Sequence, residues 1–595
     1  MSTHTDRLAA LRQQLAAQGL DGFVIPLTDE HMSEYVGSYA QRLGWLTGFE
    51  GSAGSAAVLT DKAAIFTDGR YTLQVRQQVD GANWSYEPVP ESSPADWLKA
   101  HAQAGARIGY DPWLHRGDWV KNTREMLAAK GAELVAVTDN PIDAIWEGKP
   151  EPSKAALIVH PERLAGRSSA DKRQAVADWL GEQGADAAVL AALDSIAWTF
   201  NLRGSDVART PVGLAFALVH SDGTADLFVE GEKVTAELRQ HLGNGVRLHE
   251  RAEFTAKLGE LGGKTVAVDP ERSVAAISEA LEGAGATIIA LRDPTVLPRA
   301  IKNEAEIAGQ RAAQTRDGAV MTRFLKWVGE HEGELDELKA SDRLEAIRRE
   351  DPSLRDLSFD SISAFGANAA SPHYHSTEKS NVPFQPGSLY LIDSGGQYED
   401  GTTDITRTVA VGEPSQEMRE RFTRVLQGHI AIDRALFPKG TRGGQLDSFA
   451  RRPLWEAGLD YAHGTGHGVG SFLSVHEGPQ RIAPVGGAYA GGDEPLQAGM
   501  ILSNEPGYYK EGAYGIRIEN LVLVVEKDVP GAEKPMLGFE TMTFAPIDRR
   551  LIVTDMLSAD ERGWVDAYHA EVVRRIGPGL GAEDRAWLQE QCAPL

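Results

Sequence analysis

Leu389-Tyr390-Leu391-Ile392-Asp393-Ser394-Gly395-Gly396-Gln397-Tyr398-Glu399-Asp400-Gly401-Thr402-Thr403-Asp404 runs from an apolar stretch to a carboxylate, through Gly-Gly and Asp-Gly, to a second carboxylate. Four apolar residues bounded by turn signals read as a buried strand. Strand segments joined by such a turn lie side by side, which predicts neighbouring positions for Asp393 and Asp404. Short β-like runs recur downstream, as in Leu521-Val522-Leu523-Val524-Val525, and longer helical segments lie between them, Met418 to Leu436 among these. That mixture predicts an α+β C-terminal half.

Three more segments of this half carry metal-ligand chemistry. His467 sits in His463-Gly464-Thr465-Gly466-His467-Gly468-Val469-Gly470, where glycines let backbone pass close to a ligand. Glu505 occupies Ser503-Asn504-Glu505-Pro506-Gly507, and Glu519 ends the strand-like Gly515-Ile516-Arg517-Ile518-Glu519. Singly, these are a turn aspartate, a loop histidine and an exposed glutamate. Jointly, each at a strand end or glycine turn, they form a candidate metal site. Spacing alone leaves both readings open.

Upstream, two segments follow one plan. Leu8, Leu11 and Leu15 at helical spacing lead to Gly19 and then Phe23-Val24-Ile25; Val176, Trp179 and Leu180 lead to Gly184 and then Ala187-Ala188-Val189-Leu190. Trp45 to Phe49 corresponds to Trp198 to Leu202, and Val58 to Lys62 to Leu218 to Gly223. The repeated helix–strand order predicts two α/β domains related by duplication. Lys149-Pro150-Glu151-Pro152-Ser153 is the expected linker, because two prolines in four residues block helix and central strand. The second boundary is placed at Asp293 to Pro298. The expected domains are therefore residues 1–149, 153–296 and 299–595. A long helix is expected from Asn303 to Val328 with an apolar stripe of Ile307, Ala312, Val320, Phe324 and Trp327, and the Gly-rich Gly486 to Gly492 as a mobile loop.

Composition narrows the partners. Of 595 residues, 85 are acidic and 60 basic, a net charge of −25, which repels phosphate backbones and anionic lipid heads and argues against nucleic-acid and membrane partners. No apolar run approaches the roughly 18 residues of a membrane span. The N-terminus lacks a signal-peptide core and the single Cys592 has no partner in the chain, so the expected location is the cytoplasm.

The strand Leu389–Asp393 with Asp404, the His-Gly-Thr-Gly-His-Gly segment, Asn-Glu-Pro-Gly and Arg-Ile-Glu-Asn together resemble the pita-bread metallopeptidases, which include methionine aminopeptidase, prolidase and aminopeptidase P, with creatinase a metal-free relative. Asp400 to Thr408, Gly464 to Leu473 and Val475-His476-Glu477-Gly478-Pro479 are similar to aminopeptidase P in its long, three-domain cytosolic form, and Asp68-Gly69-Arg70-Tyr71 and Ile145-Trp146 fit its N-terminal half. The resemblance implies two creatinase-N-like α/β domains followed by a pita-bread catalytic domain, and a homodimer. It implies that Asp393, Asp404, His467, Glu505 and Glu519 hold two divalent ions. Oxygen-rich ligation with one imidazole suits Mn(II) better than the sulfur- and nitrogen-rich sites of structural zinc.

The implied reaction is removal of the first residue from peptides beginning Xaa-Pro, by a hydroxide shared between the two ions. Glu505 is expected to relay the proton, His373 to stabilise the oxyanion, and His463 and His476 to bind substrate on the proline side. Arg517 is expected to orient carboxylates, and Arg70 to read the peptide beyond proline; its alternative is a turn arginine. For His463 the alternative is support for the His467 loop. The rival functions are prolidase, cleaving only Xaa-Pro dipeptides, and a non-catalytic pita-bread binding module. Binding modules and creatinase lose ligands, and all five positions are intact here.

Overall fold

Gly19 and Gly184 take the same φ of +66°, a left-handed conformation that costs glycine least. Gly19 lies just past the helix His4–Ala17 and Gly184 caps the helix Ser169–Gln183; each turns the chain into a buried strand. The computed structural model describes residues 3–486 and 491–595, so most of the Gly486–Gly492 segment lies outside the described residues.

The repetition extends through whole sheets. The first contains β1 (Gly22–Pro26), β2 (Ser55–Leu59), β3 (Ala63–Thr67), β4 (Ser85–Pro88), β5 (Arg107–Tyr110) and β6 (Glu133–Ala136), in the order β4-β3-β2-β1-β5-β6. The second contains β7 (Ala187–Leu190), β8 (Phe216–His220), β9 (Ala225–Phe228), β10 (Val246–His249), β11 (Thr265–Val268) and β12 (Thr287–Ala290), in the order β10-β9-β8-β7-β11-β12. In both, the two inner pairs of the meander are antiparallel and the other three pairs are parallel. Matching order and matching sense in all five pairings are the mark of a duplicated α/β domain. Both sheets belong to one compact unit, Met1–Val296; Leu297–Leu595 is the other.

The second unit is α+β. Strands Ile362–Phe365, Ser388–Ser394 and Ile405–Val411 form an antiparallel sheet with Ser388–Ser394 in the middle. A six-stranded sheet runs Leu436–Pro438, Met536–Thr541, Asn520–Lys527, Ile501–Asn504, Gly466–Gly468, Glu477–Ile482, and Gly507–Lys510 pairs with Tyr514–Arg517 as a hairpin. Helices Gln416–Asp433 and Gly443–Trp455 pack against each other, and Phe422, Val425, Leu426 and Leu454 enter one apolar core with Ile516 and Ile518.

The long helix spans Glu304–His331. Asn303 caps it, accepting from the Ala305 and Glu306 amides while Glu306 returns to the Asn303 amide. Its inner face departs from the expected apolar stripe: Ala312 is exposed, and the first half buries Gln310, Gln314 and Asp317. These polar groups are buried because they are hydrogen-bonded, the two glutamines to main chain and Asp317 to side chains. Gln310 exchanges hydrogen bonds with both the N–H and the carbonyl of Thr402, and Asp317 accepts from Thr403 Oγ1 at 3.0 Å. The helix therefore fixes the two residues that precede Asp404.

Candidate metal centre

Strand register assembles the five candidate ligands. Asp393 pairs with Thr406, so Asp404 lies two residues before that partner, immediately ahead of the neighbouring strand. Asn504 pairs with Asn520, which brings Glu505 and Glu519, one residue from each, together. His467 lies on the short strand Gly466–Gly468, whose Gly468 pairs with Leu502. Gly466 cannot carry a side chain here, since a Cβ would lie 1.9 Å from the Ser503 carbonyl oxygen. That approach lets Ser503 Oγ accept from the His467 amide at 2.9 Å and donate to Glu505 Oε1 at 3.1 Å.

Asp404, His467 and Glu519 are buried and each offers a ligand atom within 4.8 Å of the others. His467 Nδ1 lies 2.9 Å from the Gly468 carbonyl, which can only accept, so the ring proton is on Nδ1. Its unprotonated Nε2 faces Asp404 Oδ2 at 3.4 Å and Glu505 Oε1 at 3.5 Å. A lone pair aimed at two carboxylates is repulsive unless a proton or a cation lies between them, and an imidazole held by a carbonyl through its other nitrogen is the usual state of a metal-bound histidine. Asp393 Oδ1 is buried without a hydrogen-bond partner. The donor set thus fits metal ions.

The electrostatics agree. Burial, reinforced by Asp393, pushes the Asp404 carboxyl well above the usual range; burial together with Asp404, Asp393 and Glu505 does the same to Glu519. Glu505 is raised by burial, and His467 is lowered to about 4, by burial and then by His476. Acids crowded in a dry site hold protons until cations replace them.

Arg517 lies at the heart of the cluster's hydrogen bonds. It donates Nη2 to Asp393 Oδ2 at 2.6 Å, Nε to Thr406 Oγ1 at 3.1 Å and Nη1 to the Tyr509 hydroxyl at 2.7 Å. Thr406 Oγ1 donates to Glu519 Oε2 at 2.7 Å, and Tyr509 lies 2.8 Å from His463 Nε2. A continuous chain therefore links His463 to Glu519. Sequence reading missed Tyr509 and Thr406. The available signal was alternation, since Tyr509 stands two residues along the hairpin from Gly507, the partner of Arg517.

Around this chain, the His463 carbonyl accepts from Arg451 Nη2 at 2.6 Å, and Asp447 accepts from both Arg451 and Thr465. The His476 ring meets that of His467 edge to face, centroids 4.4 Å apart. The next residue, Glu477, is fully buried and is held by Lys302 and by Arg299 at 3.2 Å. His373 is half-buried; its neighbour Tyr374 packs on Ile362, Ala364 and Leu391, in strands beside Asp393, and bonds the buried Glu337 at 2.8 Å. Arg70 lies in the first unit, its guanidinium gripped by both oxygens of Asp68.

A buried nest of carboxylates with one neutral, oriented imidazole, carried on strand ends of this fold, defines a metallopeptidase. "Metallopeptidase family M24" matches residues 308–526, its C-terminal region 535–595, and the creatinase/prolidase N-terminal domain matches twice, at 7–145 and 148–306. A probable Xaa-Pro aminopeptidase P of Laccaria bicolor is 40% identical, over 99% of this chain and 94% of its own. Aminopeptidase P2 of Arabidopsis thaliana is 39% identical, over 99% and 88%. The solved X-prolyl aminopeptidase of Caenorhabditis elegans, described as a cytosolic enzyme with a di-nuclear active site, superimposes over 100% of both chains with TM-score 0.95 and 32% identity. A prolidase from Thermococcus sibiricus, 24% identical, shares the fold over 64% of this chain with TM-score 0.51. The chain belongs to the aminopeptidase P family.

Proposed function

We propose that the protein is an Xaa-Pro aminopeptidase that uses two divalent ions, most consistent with Mn(II), to hydrolyse the bond between a peptide's first residue and a following proline. The observation that carries this reading is the lone pair of His467 Nε2 facing Asp404 and Glu505 beside Glu519, in a chain matched end to end by aminopeptidases P. Asp393, Asp404, His467, Glu505 and Glu519 would hold the ions; four carboxylates at −4 balance two M(II) at +4. When bound, such ions lower the pKa of a shared water and polarise the scissile carbonyl.

The chain's own residues supply the rest. Glu505 takes and returns the proton, a role suited to a carboxyl raised by burial toward neutral pH. His373 hydrogen-bonds the developing oxyanion. His463 and His476 bind the substrate on the proline side. The His463 Nδ1 proton points to the Gly464 carbonyl, so Nε2 accepts from Tyr509 and the ring's tautomer is set before substrate arrives. Arg517 holds Asp393 in orientation. Proline's imide nitrogen has no hydrogen and its ring fixes φ, so a site that needs no N–H donor there and offers an apolar slot selects it.

The enzyme works in the cytoplasm as a homodimer on this reading. No helix among the described residues is long and apolar enough to cross a membrane, and Phe449 and Trp455, 45% and 49% exposed on one helix, offer apolar surface to a second subunit. The test is hydrolysis of an Xaa-Pro-Pro tripeptide by metal-stripped protein with and without added Mn(II), alongside metal analysis of the purified protein. Release of the first residue only with metal is expected. Cleavage of an Xaa-Pro dipeptide with none of the tripeptide would make the enzyme a prolidase.

A further inference from the structure

We propose that His429 is a positioning residue that sets the spacing of the Glu505 and Glu519 carboxylates by tying together the two asparagines beside them. It stands on the helix Gln416–Asp433, fully buried and far in sequence from every candidate ligand. Its Nδ1 lies 3.1 Å from the Asn504 main-chain oxygen, and its own main-chain oxygen accepts from Asn504 Nδ2 at 2.9 Å. Its Nε2 lies 3.2 Å from Asn520 Nδ2. Asn504 and Asn520 are register partners on adjacent strands; Glu505 follows one and Glu519 precedes the other. One imidazole therefore spans the strand pair that presents both glutamates.

The hydrogen-bond polarity is fixed from both sides. A carbonyl only accepts, so Nδ1 carries the proton. Asn520 Oδ1 is taken by Arg407 Nη2 at 2.9 Å, so its amide nitrogen faces the ring and Nε2 accepts from it, with the Ile518 main chain a further neighbour of the ring. Arg407, itself buried, also donates to the Glu519 main-chain oxygen at 2.7 Å. The ring is thus neutral with a defined tautomer, and burial holds it so, its pKa lowered to about 3. No other side-chain type places an N–H and a ring acceptor on opposite sides of a rigid plane at this span. A phenyl ring would keep the volume and lose both bonds, freeing each glutamate segment to relax. Outer partners of ligands typically influence metal affinity by about 10- to 100-fold.

The inference rests on the metal reading above, and the experiment separates the two. Full-length protein is stripped of metal and titrated with Mn(II) calorimetrically, for the parent, His429→Phe, His429→Gln and Asn520→Asp, with circular dichroism and melting recorded for each. The parent is expected to bind Mn(II); if it does not, the metal reading fails. His429→Phe is expected to fold but bind Mn(II) about 10- to 100-fold more weakly. His429→Gln, which keeps a donor and an acceptor, is expected to recover part of that loss. Asn520→Asp, isosteric but unable to donate to Nε2, is expected to weaken binding as well, and it carries the test if His429→Phe does not fold. Parent-like Mn(II) affinity in His429→Phe or, failing that, in Asn520→Asp overturns the inference. So do equal losses in the Phe and Gln variants, because the donor and acceptor that Gln keeps would then contribute nothing.

Discussion

Arg517 Nη2 and Asp393 Oδ2 lie 2.6 Å apart with both side chains at most one-tenth exposed, which makes this a buried ion pair inside the cluster of carboxylates. The same guanidinium reaches Thr406 and Tyr509, so one cation touches the candidate ligand Asp393, the hydroxyl that holds Glu519 and the hydroxyl that holds His463. Removing one member of a buried pair strands the other. Arg517→Ala should therefore destabilise the metal-free second unit by about 3–5 kcal/mol. Arg517→Lys should lose less stability but lower turnover, because one ammonium cannot reach all three partners in the guanidinium's plane. Thermal melting of the stripped proteins and kcat of the reloaded ones would check both; an unchanged kcat in Arg517→Lys would contradict the argument.

The chain before Asp404 is anchored through Thr402 and Thr403 to Gln310 and Asp317, and the Asp404 carboxylate faces His467 across 3.4 Å. Asp404→Ala should leave secondary structure intact, since those anchors remain, while metal content and turnover vanish. Metal analysis beside the circular dichroism spectrum reads both. Chelation of the parent should reproduce the loss, and added Mn(II) should reverse it.

The pH dependence of metal binding follows from which groups hold protons in the empty site. Asp404 and Glu519 have folded pKa values above the ordinary carboxylate value of about 4, through burial and mutual repulsion. In the metal-free protein these groups bind protons that the unfolded chain has released, so they favour the unfolded state as pH rises above about 4. Metal binding requires those protons to leave, so affinity should rise as pH rises above the ordinary carboxylate range. His467, lowered to about 4, does not compete in that window. The rise in melting temperature caused by Mn(II) should therefore grow with pH, and protons should be released on binding. A gain independent of pH would show that the carboxylates are already ionised in the empty site.

How much of this was legible depended on range. Asp393 and Asp404 could be paired from sequence because strand, turn and strand are contiguous, and Gly19 and Gly184 announced the duplicated domains because a left-handed glycine after a helix is a local requirement. The relay His463–Tyr509–Arg517–Asp393 was not legible, because it exists only once the hairpin after Pro506 folds back beside the strand of Asp393. The inner face of Glu304–His331 misled for another reason: periodicity registers apolar side chains, and Gln310, Gln314 and Asp317 are buried by the hydrogen bonds they make to Thr402 and Thr403. Nothing in the helix itself reveals those partners.

Tyr374 offers a test of how the His373 segment is held. Its hydroxyl bonds Glu337 at 2.8 Å, and Glu337 also accepts from the Phe365 amide and from Asn368 Nδ2. Tyr374→Phe keeps the packing on Ile362 and Leu391 and removes one donor from a buried carboxylate, which should cost about 1–3 kcal/mol. If the hydroxyl also fixes His373, kcat should fall while Mn(II) affinity stays at the parent value. A stability loss with unchanged kcat would leave His373 positioned by packing alone.

Gly466 joins backbone sterics to the chemistry. A methyl group there would lie 1.9 Å from the Ser503 carbonyl oxygen, so Gly466→Ala must push the strands Gly466–Gly468 and Ile501–Asn504 apart. Ser503 is also the hydroxyl that bonds both the His467 amide and Glu505, so the displacement separates two candidate ligands, an imidazole and a carboxylate. Overpacking of this kind costs about 1–3 kcal/mol, less than the roughly 5–15 kcal/mol that typically holds a folded protein, so the variant should fold. Its Mn(II) affinity should nonetheless fall by about 10- to 100-fold, as for loss of an outer partner that orients ligands. Calorimetric titration beside a melting curve separates these effects. Parent-like affinity in a folded Gly466→Ala protein would mean that the strands absorb the shift without moving His467 or Glu505, and that the glycine serves only the backbone.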